Sequence, residues 1–122
     1  MNSEVLENLR LELRRGSLIL AVLAALSTEQ YGYTPRRTLA QQGMDIEEGT
    51  LYPLLRRLES QGLLTSEWRE EDKRRKRFYR LSENGEATLG QLLQEWRIIG
   101  DSIEQILAEA DRGPHPSLLT GS

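Results

Sequence analysis

From Glu4 to Ser27 the apolar residues Val5, Leu6, Leu9, Leu13, Ile19, Leu20, Leu23 and Leu26 return at near-helical spacing, with no proline among them. Residues that recur every three or four positions share one face of a helix, so this stretch predicts one long helix, weakened at Gly16. Tyr31-Gly32-Tyr33 predicts a turn. Thr34 followed by Pro35 fits an N-cap and first helical position, because proline has no N–H to waste there and its φ is already helical. That short second helix should run to about Gln42 and end at Gly43. Asp45 and Glu48 have capping-box spacing and predict a third helix from near Ile46 to Gln61, closed by Gly62. Pro53 falls inside it, where a proline costs about 3 kcal/mol; either the first turns bend or the helix proper begins later. Leu51, Leu55 and Leu58 lie on one side of this helix with Leu54 flanking them. Gly49, Pro53, Arg56 and Ser60 lie opposite, with Arg57 beside them.

After Gly62 the period changes from helical to alternating. Leu64, Ser66 and Trp68 interleave with Thr65, Glu67 and Arg69, and Arg77, Tyr79 and Leu81 with Phe78 and Arg80, which predicts two antiparallel strands. Their connection, Glu71 to Lys76, has no glycine, so a two-residue type I′ or II′ turn is not signalled and the tip is expected to be longer and mobile. Ser82, with Gly85 and Glu86 three and four residues on, marks another helix start. From there Leu89, Leu92, Trp96, Ile99, Ile103, Ile106 and Ala110 recur in steps alternating between three and four, a heptad seam that faces a partner helix. The tail, with Gly113, Pro114, Pro116 and Gly121, has no period and is expected to be disordered.

The chain has 122 residues and suits a single domain. Its longest apolar run, Leu18 to Leu26, is far below the ~20 residues of a membrane span, and it starts too late, after too many charges, for a signal peptide. A cytoplasmic protein is expected. With no cysteine and one histidine, thiolate metal sites, disulfides and the usual imidazole sites fall away, and no cofactor is expected. The net charge of −3 conceals a division: residues 1–55 carry −2, residues 56–80 carry +4 and residues 81–122 carry −5. Phosphate binding depends on the field of the contacting face rather than on the total, so one basic segment in an acidic chain is compatible with DNA.

The order helix, helix, helix, strand, strand, helix is that of a winged helix-turn-helix, in which the third helix enters the major groove and the hairpin lies against the backbone. The expected fold is mainly α: a winged helix-turn-helix domain at 1–82 with a two-stranded wing, a long C-terminal coiled-coil dimerisation helix at 83–110, and a tail at 111–122. Tyr31-Gly32-Tyr33, the run Glu48-Gly49-Thr50-Leu51-Tyr52-Pro53-Leu54-Leu55-Arg56-Arg57-Leu58-Glu59, Gly62-Leu63-Leu64 and Phe78-Tyr79-Arg80-Leu81-Ser82 resemble the PadR family of transcriptional regulators. The similarity runs from about Leu18 to Ile106. It implies a homodimeric repressor, often one that senses a small molecule. Thr34-Pro35-Arg36-Arg37 departs from the aliphatic stretch usual there, and the hairpin tip is charged rather than glycine-rich.

The candidate DNA-binding residues are Gly49, Thr50, Tyr52, Pro53, Arg56 and Arg57 on the third helix and Lys73, Arg74, Arg75, Lys76 and Arg77 in the wing. Arginine is the usual bidentate partner of guanine, and five cations between two strands can straddle phosphates or enter the minor groove. Glu70, Glu71 and Asp72 precede that run and can pair with it. Leu89, Leu92, Trp96, Ile99, Ile103 and Ile106 are the candidate dimer interface. Trp96 is also the candidate ligand-binding residue, because a wide ring on a two-fold axis can leave a cleft for a planar aromatic effector. The first expectation is thus a dimeric repressor on a double-stranded inverted-repeat operator, released by a small ligand. The alternative is a winged-helix protein-interaction module that no longer binds DNA. An enzyme is a distant third, for the sequence has no Gly-rich phosphate loop and no His/Asp/Ser constellation.

Overall fold

The computed structural model describes residues 3–31 and 33–111. Its elements are α1 (Ser3–Ala25), β1 (Gln30–Tyr31), α2 (Tyr33–Gln41), α3 (Glu48–Ser60), β2 (Leu64–Glu71), β3 (Arg74–Leu81) and α4 (Glu83–Asp111). The chain divides into two compact units, Met1–Leu89 and Gly90–Ser122. Of the expected tail at 111–122, Asp111 instead ends α4, and residues 112–122 lie outside the described residues.

The first unit is a mainly helical winged-helix fold. Its core is made by Val22 and Leu23 of α1, Leu26 just after it, Leu39 of α2, Leu51, Leu54, Leu55 and Leu58 of α3, and Leu64, Tyr79 and Leu81 of the sheet, all buried. Each such leucine or valine withdrawn from water stabilises the fold by about 1.5–3 kcal/mol. The first half of α1 behaves otherwise. Val5, Leu6, Leu9 and Leu13 stay exposed, Leu13 to 69%, so the apolar period there is not spent on this core.

Two helix ends follow the glycine rule closely. At Gly43 (φ 78°) Met44 N–H donates to Leu39 O at 2.8 Å and Gly43 N–H to Ala40 O at 3.0 Å; at Gly62 (φ 83°) Leu63 N–H reaches Leu58 O at 3.0 Å and Gly62 N–H reaches Glu59 O at 2.9 Å. Both are Schellman closures, which need a left-handed residue after the helix. The helix starts differ from expectation. Thr34 is not an N-cap, because α2 already begins at Tyr33. The capping box of Asp45 and Glu48 does not form: the N-cap is Glu47, without a side-chain bond. Glu48 pairs instead with Arg36 Nη1 at 3.1 Å, while Arg36 Nε donates to Ile46 O at 3.0 Å. A full counter-charge has displaced a backbone N–H as the carboxylate's partner. The third helix thus starts two residues later than expected and passes through Pro53 in one piece.

The sheet has three strands in the order β1-β3-β2, all antiparallel. Part of the stretch read as a turn is β1, whose Gln30 and Tyr31 face Tyr79 and Phe78 across the ladder. The β2–β3 register runs without slip from Leu64↔Leu81 to Glu71↔Arg74. The hairpin tip is therefore two residues, Asp72 and Lys73, and not the longer loop expected. Both have positive φ, 54° and 63°, as a type I′ turn requires. Asp tolerates this region through local hydrogen bonding, whereas a lysine there costs roughly 1–2 kcal/mol. The eight-residue pairing on either side of the tip offsets that cost.

Ser82 joins the wing to α4. Its hydroxyl accepts from Gly85 N–H at 2.9 Å and donates to Gly62 O at 2.6 Å, while Ser82 N–H donates to Leu63 O at 3.0 Å. This is the N-cap that the sequence indicated. In the second unit, residues 90–111 continue α4 as a helix on which Trp96, Ile99, Ile103 and Ile106 are 48%, 53%, 51% and 64% exposed. Ile98 and Leu107 are exposed as well.

Candidate nucleic-acid interface

The third helix divides its residues among three directions. Leu51, Leu54, Leu55 and Leu58 turn inward, and Gly49, Pro53, Arg56 and Ser60 are exposed on the opposite side. Thr50 and Arg57 turn toward α1. With Gly49, Pro53 and Leu54 they line an open groove of about 640 Å³ whose other wall is Arg15, Leu18 and Ile19. Arg56 is exposed on the other side of this face, and its charge opposes the rise of the Tyr79 hydroxyl. The two adjacent arginines thus diverge, one to each flank of the exposed face. Tyr52 is half-buried.

The five wing cations are separated by strand alternation. Arg75 and Arg77 lie on one face with Trp68, to which their guanidinium carbons approach at 5.1 and 5.3 Å from the ring centre. Arg74 and Lys76 lie on the other, and Lys73 is at the tip. Lys76 Nζ pairs with Glu71 at 3.3 Å, one of the neutralising contacts expected from the acidic triplet. Arg74, Arg75 and Lys73 are exposed. Arg77 is held further in. Its Nη2 donates to Glu59 Oε1 at 3.0 Å and its Nε to Ser66 Oγ at 3.0 Å, and Ser66 Oγ donates to Glu59 Oε2 at 2.6 Å.

Burial pushes the Tyr79 hydroxyl above its ordinary range, with Glu59 raising it further and Arg77 and Arg56 opposing. Across the sheet Arg69 forks onto Glu29, Nη1 to Oε1 and Nη2 to Oε2 at 2.8 Å each, and also reaches Glu67. The hydrogen bonds from Arg69 hold the Glu29 carboxyl below the usual carboxylate range. Arg69 also lies 4.7 Å from the Phe78 ring centre, so the segment before β1 is fastened to the wing base.

Sequence reasoning did not find Glu59 and Ser66 as partners of Arg77, nor Arg15 beside the third helix. The strand alternation of Ser66, Trp68, Arg77 and Tyr79 was a usable signal for the first. Nothing in the spacing of α1 indicated the second. Among the described residues no group of His, Asp and Glu can hold a metal ion, and no helix is long and apolar enough to cross a membrane.

The profile of the transcriptional regulator PadR-like family matches residues 19–91. The transcriptional regulator Rv3488 of Mycobacterium tuberculosis is 40% identical over 79 residues, which is 64% of this chain and 74% of that protein. A crystal structure of a PadR family transcriptional regulator from Eggerthella lenta superposes with a TM-score of 0.81 at 40% identity, covering 86% of this chain and 94% of the other. The crystal structure of Bacillus subtilis PadR in complex with operator DNA gives a TM-score of 0.57 at 26% identity, over 62% of this chain and 45% of that one.

Proposed function

This chain belongs to the PadR-like family of transcriptional regulators, and we propose that it is a homodimeric, sequence-specific DNA-binding repressor that reads an inverted repeat and is released by a small planar effector. The observation that carries the DNA reading is the layout of α3: its leucines fill the core while Arg56 and Arg57 stay exposed on the side that also presents Gly49 and Pro53. A helix with small residues between arginines can approach base edges closely, and arginine is suited to guanine. The exposed Lys73, Arg74 and Arg75 at the wing tip add phosphate contacts. The Bacillus subtilis relative in complex with operator DNA supports the DNA-binding part of this reading.

The test uses a duplex enriched by this protein from a randomised pool, with a scrambled duplex as reference. Arg56→Ala is expected to cost roughly 1–3 kcal/mol on the enriched duplex and little on the scrambled one. Neutralising Arg74 and Arg75 should weaken both alike and flatten the salt dependence by about one unit per lost phosphate contact. Binding to neither duplex would favour the alternative of a protein-interaction module.

The effector reading rests on Trp96, half exposed within the heptad seam of α4. In a dimer paired along that seam the ring meets its symmetry mate, and a planar apolar molecule stacked between them changes the separation of the helices. A ligand that favours the DNA-incompetent spacing needs only about 1.4 kcal/mol of differential binding for a tenfold loss of operator affinity. Planar aromatic compounds titrated against Trp96 emission in a Trp68→Phe background should quench it, and calorimetry with Trp96→Ala should show the affinity lost. Unchanged affinity in the alanine variant places the ligand elsewhere.

A further inference from the structure

Arg77 belongs to the basic run of the wing, yet two of its five N–H donors are already engaged within the protein. Nε is taken by Ser66 at 3.0 Å and Nη2 by Glu59 at 3.0 Å, and the Ser66 hydroxyl closes the ring by donating to the other Glu59 oxygen at 2.6 Å. Both charged side chains are about one-third exposed, 34% for Arg77 and 28% for Glu59, so water competes less here than at the tip. Glu59 sits near the C-terminal end of α3, Ser66 on β2 and Arg77 on β3. One closed network therefore spans the recognition helix and both strands of the wing. The Arg77 guanidinium also lies over Trp68 at 5.3 Å, and Trp68 carries Arg75 on the same face at 5.1 Å.

We infer that Arg77 is a positioning residue for DNA recognition: with Glu59 and Ser66 it fixes the wing to the recognition helix, and through Trp68 it sets where Arg75 stands, while contacting no phosphate itself. The inference rests on the DNA-binding reading above. An acidic residue on a phosphate-binding face is otherwise unfavourable, and the brace gives Glu59 a reason to be there. Lysine cannot replace Arg77 in this role, because a single ammonium on a flexible stem lacks the planar fork that engages Ser66 and Glu59 together. At a phosphate contact, by contrast, lysine keeps the point charge that counts in the salt dependence.

That difference makes the test. The full chain and its variants are titrated over a salt series against the enriched and the scrambled duplex. Arg77→Lys and Glu59→Gln are each expected to lower affinity for the enriched duplex about tenfold, leaving the salt slope and the scrambled-duplex affinity unchanged or slightly improved. Combining Glu59→Gln with Arg77→Met should lose no more than Arg77→Met alone, as for two members of one network. The inference is overturned if Arg77→Lys binds like the parent, if Arg77→Met reduces the slope by about one unit, or if Glu59→Gln tightens both duplexes. A parent chain that binds neither duplex would overturn the DNA-binding reading itself, an outcome distinct from these three.

Discussion

Gly85→Ala is expected to destabilise the protein by about 3 kcal/mol or more, at the upper end of overpacking. A Cβ at this position would stand 2.0 Å from the Leu63 carbonyl oxygen and 3.3 Å from Leu81 Cδ2, whereas a carbon normally keeps about 3.3 Å or more from such an oxygen. The oxygen cannot move away cheaply, since it accepts Ser82 N–H at 3.0 Å and belongs to backbone just after the Gly62 closure. Helix propensity alone gives the opposite sign, because alanine is better than glycine in a helix by about 1 kcal/mol. Gly90, five residues along the same helix, has open space where its Cβ would be. Gly90→Ala should therefore raise the urea midpoint at fixed protomer concentration, while Gly85→Ala should lower it steeply or prevent folding. If the two alanine variants shift the midpoint in the same direction, the contact described at Leu63 does not govern this position.

The second large effect is expected in assembly. Leu92→Glu combined with Ile99→Glu should convert a particle of about twice 14.0 kDa in sedimentation into one of 14.0 kDa. The seam along α4 leaves Trp96, Ile99, Ile103 and Ile106 each about half or more exposed in a single chain, and a contiguous apolar stripe of that length marks an interface. Two carboxylates placed in the seam would have to be desolvated against like charges from the partner, which costs more than the interface returns. Operator affinity should then fall by roughly 10²–10⁴, the avidity lost when one half-site is read instead of two. A double variant that stays dimeric at micromolar concentration would place the interface elsewhere.

The leucines of α3, the glycine closures at Gly43 and Gly62 and the Ser82 cap were legible because each rests on a local rule that depends on a few neighbouring residues. The failures share another origin. β1 is two residues long, too short for alternation to register, and exists because β3 supplies its ladder. The tip of the hairpin lacked a glycine signal, and Asp72 and Lys73 are held left-handed by the register on either side. Glu48 had the spacing for a cap, but Arg36, twelve residues away, is a stronger partner. At the candidate interface the composition of the basic run was plain while its internal division was not. Which cations stay exposed and which are bound inward follows from strand alternation combined with the position of Glu59, and the second of these is tertiary.

The strand order leaves much of the wing hairpin uncovered. β1 shields β3 only opposite Phe78 and Tyr79, and the far side of β2 has no neighbouring strand among the described residues. Such free rows of N–H and C=O groups are templates for adding a foreign strand, and proteins guard them with charge. Here the guard is Glu67, Arg69, Glu70 and Glu71 on β2 and Arg74, Arg75, Lys76 and Arg77 on β3. Of these, the exposed Arg74 and Arg75, proposed above to meet phosphate, would also keep the hairpin from seeding aggregates. On the proposed reading, solubility and operator affinity depend on the same two arginines, so selection acting on either one constrains how far the wing can drift in the other.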